Sequence, residues 1–340
     1  MEPVETQGQA DALATAAREG EAGPPAFDGK VIEGKDGWLF VAFDTLDVIG
    51  QHTGKLRLTD RELHDWRLVL EGRVAWLEKL GIHYFFMLSV NPHTIYPELM
   101  PDEYVMAEER TIEQLISYLE ERGSYARVIY PLPEILAAKE QRPVACKTSS
   151  HWNAVGAYAA YRKLIGEIGE VARVYVVPEE RVDYFDASRF ADLGIKMEPP
   201  RKSVITFANV IGQRARLVAD NRVLRRGRIA ELECPDAPDT SCMLVGDSFN
   251  YQMMAFMAES FRKLYFVHLH TLDHDLVEEY RPDVVVNVMN ERGLSSVMYD
   301  LPARTTREFA AEKIERGDVD PGSGRIWRPS PTARADDQGC

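Results

Sequence analysis

The stretch TDRELHDWRLVLEGRVAWLEKLG at 59–81, followed directly by HYFFMLSV at 83–90, decides the fold class. In the first, Leu63, Trp66, Leu70, Val74 and Leu77 recur at spacings of three and four, which makes one face of an α-helix apolar. Thr59 and Glu62 have the spacing of a capping box, and Gly81 is the residue type that most easily ends a helix in a left-handed conformation. The second stretch is a near-continuous apolar run of strand length. A strand apolar on both sides belongs in a parallel sheet covered by helices on each face. Helix followed by buried strand therefore predicts an α/β domain.

The same alternation recurs outward from that stretch. A helix through Ile112, Leu115, Ile116 and Leu119 precedes the strand-like ARVIYPL at 126–132, and a helix after His151 precedes VARVYVV at 171–177. Strand-like CMLVG, KLYFVHL and DVVVNV follow, with a helix from about Asn250 to Arg262 between the first two. This rhythm predicts a three-layer sandwich, a mostly parallel central sheet flanked by helices, with any site at the carboxyl ends of the strands. Residues 31–302 read as one such domain. Residues 1–30 are acidic and rich in Ala and Gly, and 303–340 are rich in Pro, Gly and charge. Both are expected to be disordered tails, because they carry too little apolar surface to offset the entropy of ordering.

Composition removes several functional classes. The 340 residues carry 40 Lys and Arg against 54 Asp and Glu, a net charge of −14, which argues against a nucleic-acid partner. The short basic run Arg222–Arg228 reads as a solvated loop or turn, with contact to an acidic glycan or an anionic membrane surface as the alternative. No apolar run approaches the roughly 18 residues of a membrane span, so the chain is not expected to be transmembrane. The first thirty residues lack the basic start and apolar stretch of a secretory signal, which places the chain, as written, in the cytoplasm. Cys146, Cys234, Cys242 and Cys340 have no CxxC spacing and are expected as free thiols, with a Cys234–Cys242 bridge the alternative for an exported protein. No GxGxxG or Walker sequence is present, and no cofactor is expected. His268, His270, Asp273 and His274 are the best case for a metal, but too few further ligands follow them, and no metal is expected either.

Chemistry concentrates at two places. In Cys242-Met-Leu-Val-Gly-Asp-Ser-Phe249, four apolar residues lead into Gly246-Asp247-Ser248 and then a helix. A serine on that turn exposes its hydroxyl beside helix N-terminal N–H groups suited to an oxyanion. The competing reading is that Asp247 or Ser248 merely caps the helix. In Lys147-Thr-Ser-Ser-His-Trp-Asn153, His151 enters a helix in which Gly156 and Ala160 allow close packing. Ser248 needs a general base, and histidine has the pKa for it near neutrality.

Five segments, GKDGWLF (34–40), SVNPHTIYPELMP (89–101), KTSSHWN (147–153), GDSF (246–249) and PDVVVNVMNERGL (282–294), together resemble the AlgX/AlgJ family in collinear order. These are SGNH-hydrolase-like domains of bacterial polysaccharide O-acetyltransferases, first known from alginate acetylation. The resemblance implies an SGNH-hydrolase-like fold, Ser248 as nucleophile and His151 as base. It also implies a polysaccharide or glycan substrate, a membrane-bound acyl donor protein as partner, and a periplasmic setting. One departure stands out: the family's Asp two residues before the histidine is Ser149 here. That leaves a weakened Ser–His dyad, a triad completed by another carboxylate, or an impaired domain that only binds glycan or acts as a scaffold. Asp273, Asp275 and Glu291, just past the ends of two strands, are candidate substitutes. The backbone N–H of Ser248, with Asn287 or Asn290, is a candidate oxyanion hole, and Asn91 is a candidate substrate contact; each asparagine can equally close a turn. The reading is a carbohydrate O-acetyltransferase or acetylesterase, with the non-catalytic glycan-binding domain as alternative.

Overall fold

A computed structural model describes residues 31–42, 44–301 and 303–320. The strands are β1 (Val31–Glu33), β2 (Leu39–Val41), β3 (His83–Ser89), β4 (Val128–Ile129), β5 (Val182–Phe190), β6 (Lys202–Val210), β7 (Arg216–Asp220), β8 (Ile229–Glu233), β9 (Ser241–Gly246), β10 (Lys263–His268) and β11 (Val284–Asn290). The central sheet has the order β4-β3-β11-β9-β10-β8-β7. The five strands from β4 to β10 pair in parallel, while β8 and β7 add on antiparallel. The predicted mostly parallel α/β sandwich is what forms.

The three layers follow from the alternation of side chains along each strand. On one face, Cys242, Leu244, Val286 and Phe266 pack with Tyr161, Leu164, Phe256 and Met257. The latter come from α1 (Ala154–Gly169) and α2 (Asn250–Ser260). On the other face, Met243, Val245, Val285 and Val267 pack with Leu77, Leu276 and Val277. Leu77 belongs to the helix Asp60–Lys79, whose capping box between Thr59 and Glu62 is formed as its sequence predicts. Its buried stripe is Leu63, Trp66, Leu70, Arg73 and Leu77, so Arg73 takes the place expected of Val74. The Arg73 guanidinium is satisfied there by both Asp300 carboxylate oxygens at 2.9 and 2.7 Å and by Asn287 Oδ1 at 3.0 Å. A buried arginine is tolerated only with such partners.

Two expectations are corrected. Residues 171–177 form no strand; they are an irregular connection after α1, with the Val177 N–H donating to Tyr161 Oη at 2.8 Å. The hairpin of β5 and β6, too polar and exposed to stand out in the sequence, follows instead. The second concerns 303–320, read as part of a tail. Thr306–Arg316 is a helix opened by a capping box between Thr305 and Glu308 and closed at Gly317. It docks through polar contacts that composition does not reveal. The Thr306 N–H donates to Asp273 Oδ2 at 2.6 Å, Val319 bridges to Val223, and Arg228 reaches Asp220 and Asp320. The Arg226 guanidinium lies over the Phe309 ring. Much of the basic run 222–228 therefore holds this helix. Residues 1–30 and 321–340, where the rest of the two expected tails falls, lie outside the described residues. Cys146, Cys234 and Cys242 are free and buried.

Gly246 ends β9 where the backbone of β11 comes closest. A Cβ there would lie 2.1 Å from the Val288 carbonyl oxygen and 2.4 Å from Asn250 Nδ2. Replacing it would force apart the strand pair Gly246–Val288. Gly246→Ala is expected to lower stability by about 3 kcal/mol or more, read as a shift of the urea midpoint; an unchanged midpoint would contradict this packing.

Candidate active site

The nucleophile turn is built from its own neighbours. Asp247 Oδ1 accepts the Phe249 N–H at 2.9 Å, its Oδ2 accepts the Asn290 N–H at 3.3 Å, and its carbonyl accepts the Asn250 N–H at 3.2 Å. Asp247 is thus the residue that closes the turn, as Asp commonly does. The half-buried Ser248 is left with its hydroxyl directed elsewhere. Ser248 Oγ lies 2.7 Å from His151 Nε2.

His151 reaches that position because its own segment is clamped to the turn. Asn153 caps α1 by accepting the Val155 and Gly156 N–H groups. Gly156 lets the helix approach Val144, whose carbonyl would lie 2.6 Å from an added Cβ. The Trp152 indole N–H donates to the Phe249 carbonyl at 3.0 Å, and the His151 ring packs on the Phe249 ring with centroids 4.6 Å apart. The HW pair and the GDSF turn, 97 residues apart in sequence, are therefore joined by one hydrogen bond and two ring contacts, His151 and Trp152 each on Phe249, besides Ser–His.

The other ring nitrogen faces a carboxylate the sequence did not point to. Asp192, in the loop after β5, places Oδ1 3.7 Å from His151 Nδ1. Between them stand two hydroxyls. Ser149 Oγ donates to Asp192 Oδ1 at 2.9 Å, and Ser150 Oγ donates to Asp192 Oδ2. The Ser150 N–H also donates to Asp192 Oδ1 at 3.0 Å. Ser150 Oγ is 3.2 Å and Ser149 Oγ 3.5 Å from His151 Nδ1. Burial works against the Asp192 anion, but the adjacent His151 ring and the Ser150 donors outweigh it and hold the carboxyl well below the usual aspartate range. The side chain keeps 40% exposure, so water moderates the pull.

The candidate substitutes are committed elsewhere. Asp273 caps the helix His274–Tyr280 and receives the Thr306 N–H, and Asp275 is exposed on that helix. Glu291 is buried and accepts from the Asn91 N–H at 2.7 Å, Thr94 Oγ1 at 2.8 Å and the Tyr130 hydroxyl. The three asparagines are likewise engaged. Asn287 takes Arg73 on Oδ1 and donates weakly to the Val245 carbonyl. Asn290 donates to Ser89 Oγ at 3.4 Å and accepts the Arg292 N–H, and Asn91 Oδ1 accepts from Arg292 Nη1 at 3.2 Å. The metal candidates disperse too: His268 meets the Tyr251 hydroxyl at 2.8 Å, and His274 stacks on Trp76. Among the described residues no cluster of three His, Cys, Asp or Glu has the geometry to hold a metal ion.

With a serine and a histidine in contact at the end of a parallel strand, kinship can be judged against geometry. The family model described as SGNH hydrolase-like domain, acetyltransferase AlgX, matches residues 31–259. The chain belongs to this family. Solved structures share the fold. Bacillus cereus PatB1, determined alone and with a sulfonyl adduct, matches with TM-score 0.59 and 13% identity over 78% of this chain and 97% of its own. The O-acetyltransferase domain of Pseudomonas putida AlgJ gives 0.55 and 15% over 84% and 99%. Pseudomonas aeruginosa AlgX gives 0.51 and 10% over 82% of this chain and 65% of its own. A search of curated proteins finds no match.

Membership corrects one expectation. The cytoplasmic placement rested on the composition of residues 1–30, and membership in the AlgX family overturns it in favour of the periplasmic setting that the resemblance implies. Among the described residues no helix is long and apolar enough to cross a membrane.

Glu291, Asn91, Arg110 and Arg292 line a small cavity with His52 and His93. Burial, reinforced by the Arg110 charge, pushes His52 down to about 4. Burial, helped by His52 and Arg292 against the Val41 carbonyl, pushes His93 down to about 3. In the unfolded chain both take up a proton near pH 6.5. Their folded pKa values are depressed, so their full contribution to stability is present above pH 6.5. It is lost as pH falls toward 4 and then 3, at about 1.4 kcal/mol per pH unit for each ring. The thermal midpoint is expected to drop between pH 7 and pH 4.5, and less steeply in His52→Gln/His93→Gln; parallel pH profiles would count against these two rings as the cause.

Proposed function

We propose that this chain is a serine-dependent acyl-transfer enzyme that moves or removes O-acetyl groups on a polysaccharide, working through an acyl-enzyme on Ser248. The observation that carries the reading is the 2.7 Å contact between Ser248 Oγ and His151 Nε2 at the carboxyl end of β9. A hydroxyl at that distance can pass its proton to the ring as it attacks.

In the first half-reaction Ser248 Oγ attacks the acetyl carbonyl carbon while His151 Nε2 takes the hydroxyl proton. The bond from that carbon to the donor oxygen then breaks, and the imidazolium returns the proton to the leaving oxygen. In the second, a sugar hydroxyl or water gives its proton to His151 and attacks the acetyl carbon, and Ser248 leaves with that proton. The Ser248 backbone N–H, at the turn into α2, is the first donor to the oxyanion. The Nδ2 groups of Asn287 and Asn290 are already directed at the Val245 carbonyl and Ser89 Oγ, at 3.4 Å each, which favours backbone groups over them. Family membership supports the glycan substrate and a membrane-bound acyl donor protein as partner. The alternative, a glycan-binding or scaffold domain without catalysis, gives no reason for the base to sit on the nucleophile, or for the turn to leave Ser248 free while Asp247 closes it.

A 4-nitrophenyl acetate assay, together with labelling by a sulfonyl fluoride, tests the reading. Wild type is expected to hydrolyse the ester and to take one sulfonyl group on Ser248. Ser248→Ala and His151→Ala should each lower kcat by about 10³-fold or more. A folded wild type with neither turnover nor adduct would leave the glycan-binding alternative.

A further inference from the structure

We infer that Asp192 supplies the charge that Ser149 cannot, acting on His151 from a different part of the chain through the hydroxyls of Ser149 and Ser150. This rests on the proposed Ser–His chemistry and adds to it a positioning residue. Asp192 was not among the substitutes that strand order points to, because it arrives on the loop that joins β5 to β6.

The hydrogen bonds give the loop a defined place. The Leu193 and Gly194 N–H groups both donate to the Thr148 carbonyl, at 3.1 and 3.0 Å, and the Arg201 N–H donates to the Gly194 carbonyl at 2.9 Å. Thr148 Oγ1 and Ser203 Oγ, the latter on β6, are 2.7 Å apart. A Cβ on Gly194 would lie 2.2 Å from the Arg201 carbonyl and 3.0 Å from Thr148 Cβ. Only a glycine lets the loop close this tightly on the residue just before Ser149. Leu193 is buried, which anchors the residue next to the carboxylate.

The same bonds fix the tautomer of the base. Asp192 is ionised and accepts only, so the Ser149 and Ser150 hydroxyl protons point at it. Their oxygens are then acceptors toward the ring, and Nδ1 must carry a proton to meet them. Nε2 is left with its lone pair facing Ser248 Oγ, the form a general base needs. Once Ser248 has given up its proton, the carboxylate 3.7 Å away stabilises the imidazolium.

A consequence separates this arrangement from a simple loss of the family aspartate. The space that the longer side chain of a Ser149→Asp variant would enter already faces Asp192, because Ser149 Oγ lies 2.9 Å from Asp192 Oδ1. Two carboxylates that close repel, and one is driven to take up a proton. Ser149→Asp is therefore expected to help only when Asp192 is gone.

Four proteins test this: wild type, Asp192→Ala, Ser149→Asp and the double variant, each assayed for 4-nitrophenyl acetate turnover and by nitrogen NMR of the His151 ring. Asp192→Ala is expected to lower kcat about 10²- to 10⁴-fold with KM little changed. Ser149→Asp alone should not exceed wild type, and the double variant should recover to within about tenfold of it. The ring should be Nδ1-protonated in wild type and in the double variant, and a mixture of tautomers in Asp192→Ala. Asp192→Ala within about threefold of wild type, or Ser149→Asp raising activity equally with and without Asp192, would overturn the inference. An unchanged tautomer in Asp192→Ala would do so even in a protein that turns over nothing. Absence of turnover and adduct in wild type alone, with the tautomer shift intact, would instead defeat the Ser–His chemistry.

Discussion

The Trp152 indole N–H donating to the Phe249 carbonyl, buried at 3.0 Å, is the contact on which the rest of the site depends. It ties the entry of α1 to the turn after β9 and so sets where His151 and Ser248 can meet. The bond is possible only because each segment comes in very close to its own neighbour. Gly246 lets β9 lie against β11 at Val288, and Gly156 lets α1 lie against Val144. An extra methyl at either place would move one of the two reacting groups. Displacements of about 1 Å are enough to cost two orders of magnitude in rate.

Around this contact two sets of buried polar groups are partnered separately. Arg73, Asp300 and Asn287 close one set under the sheet, and Glu291, Arg110, Thr94 and Tyr130 close another beside it. Neither extends to His151. A carboxylate in a buried network is of little use to a distant base, which is why Glu291 and Asp273, well placed by strand order, contribute nothing to the ring. Asp192 differs in being half-exposed and, among the described residues, bonded through its carboxylate only to the segment that carries the base.

How much of this was legible follows from where each signal lies. The helix Asp60–Lys79, the strands β3, β9, β10 and β11, and the candidates Ser248 and His151 are written in local pattern: periodicity, a capping box, a Gly-Asp-Ser turn after an apolar run. Asp192 is not, because its meaning comes from a loop folding back 43 residues onto Ser149. A signal existed in Gly194, two residues on, but one glycine among 23 marks nothing until its neighbours are known. The helix Thr306–Arg316 was missed for a related reason. Its capping box is legible, yet its docking rests on a few contacts, Asp273 with the Thr306 N–H, Arg226 over Phe309, and Phe309 against the core, that the composition of the segment does not show.

The most direct test of the account is to trap the covalent intermediate. Intact-protein mass spectrometry after rapid mixing with an activated acetyl ester, followed by peptide mapping, reads whether one acetyl group is added and where. The account predicts a single acetyl on the peptide containing Ser248, formed in wild type and absent from Ser248→Ala and His151→Ala. Acetylation spread over lysines at equal rates in all three proteins, with none on Ser248, would contradict it.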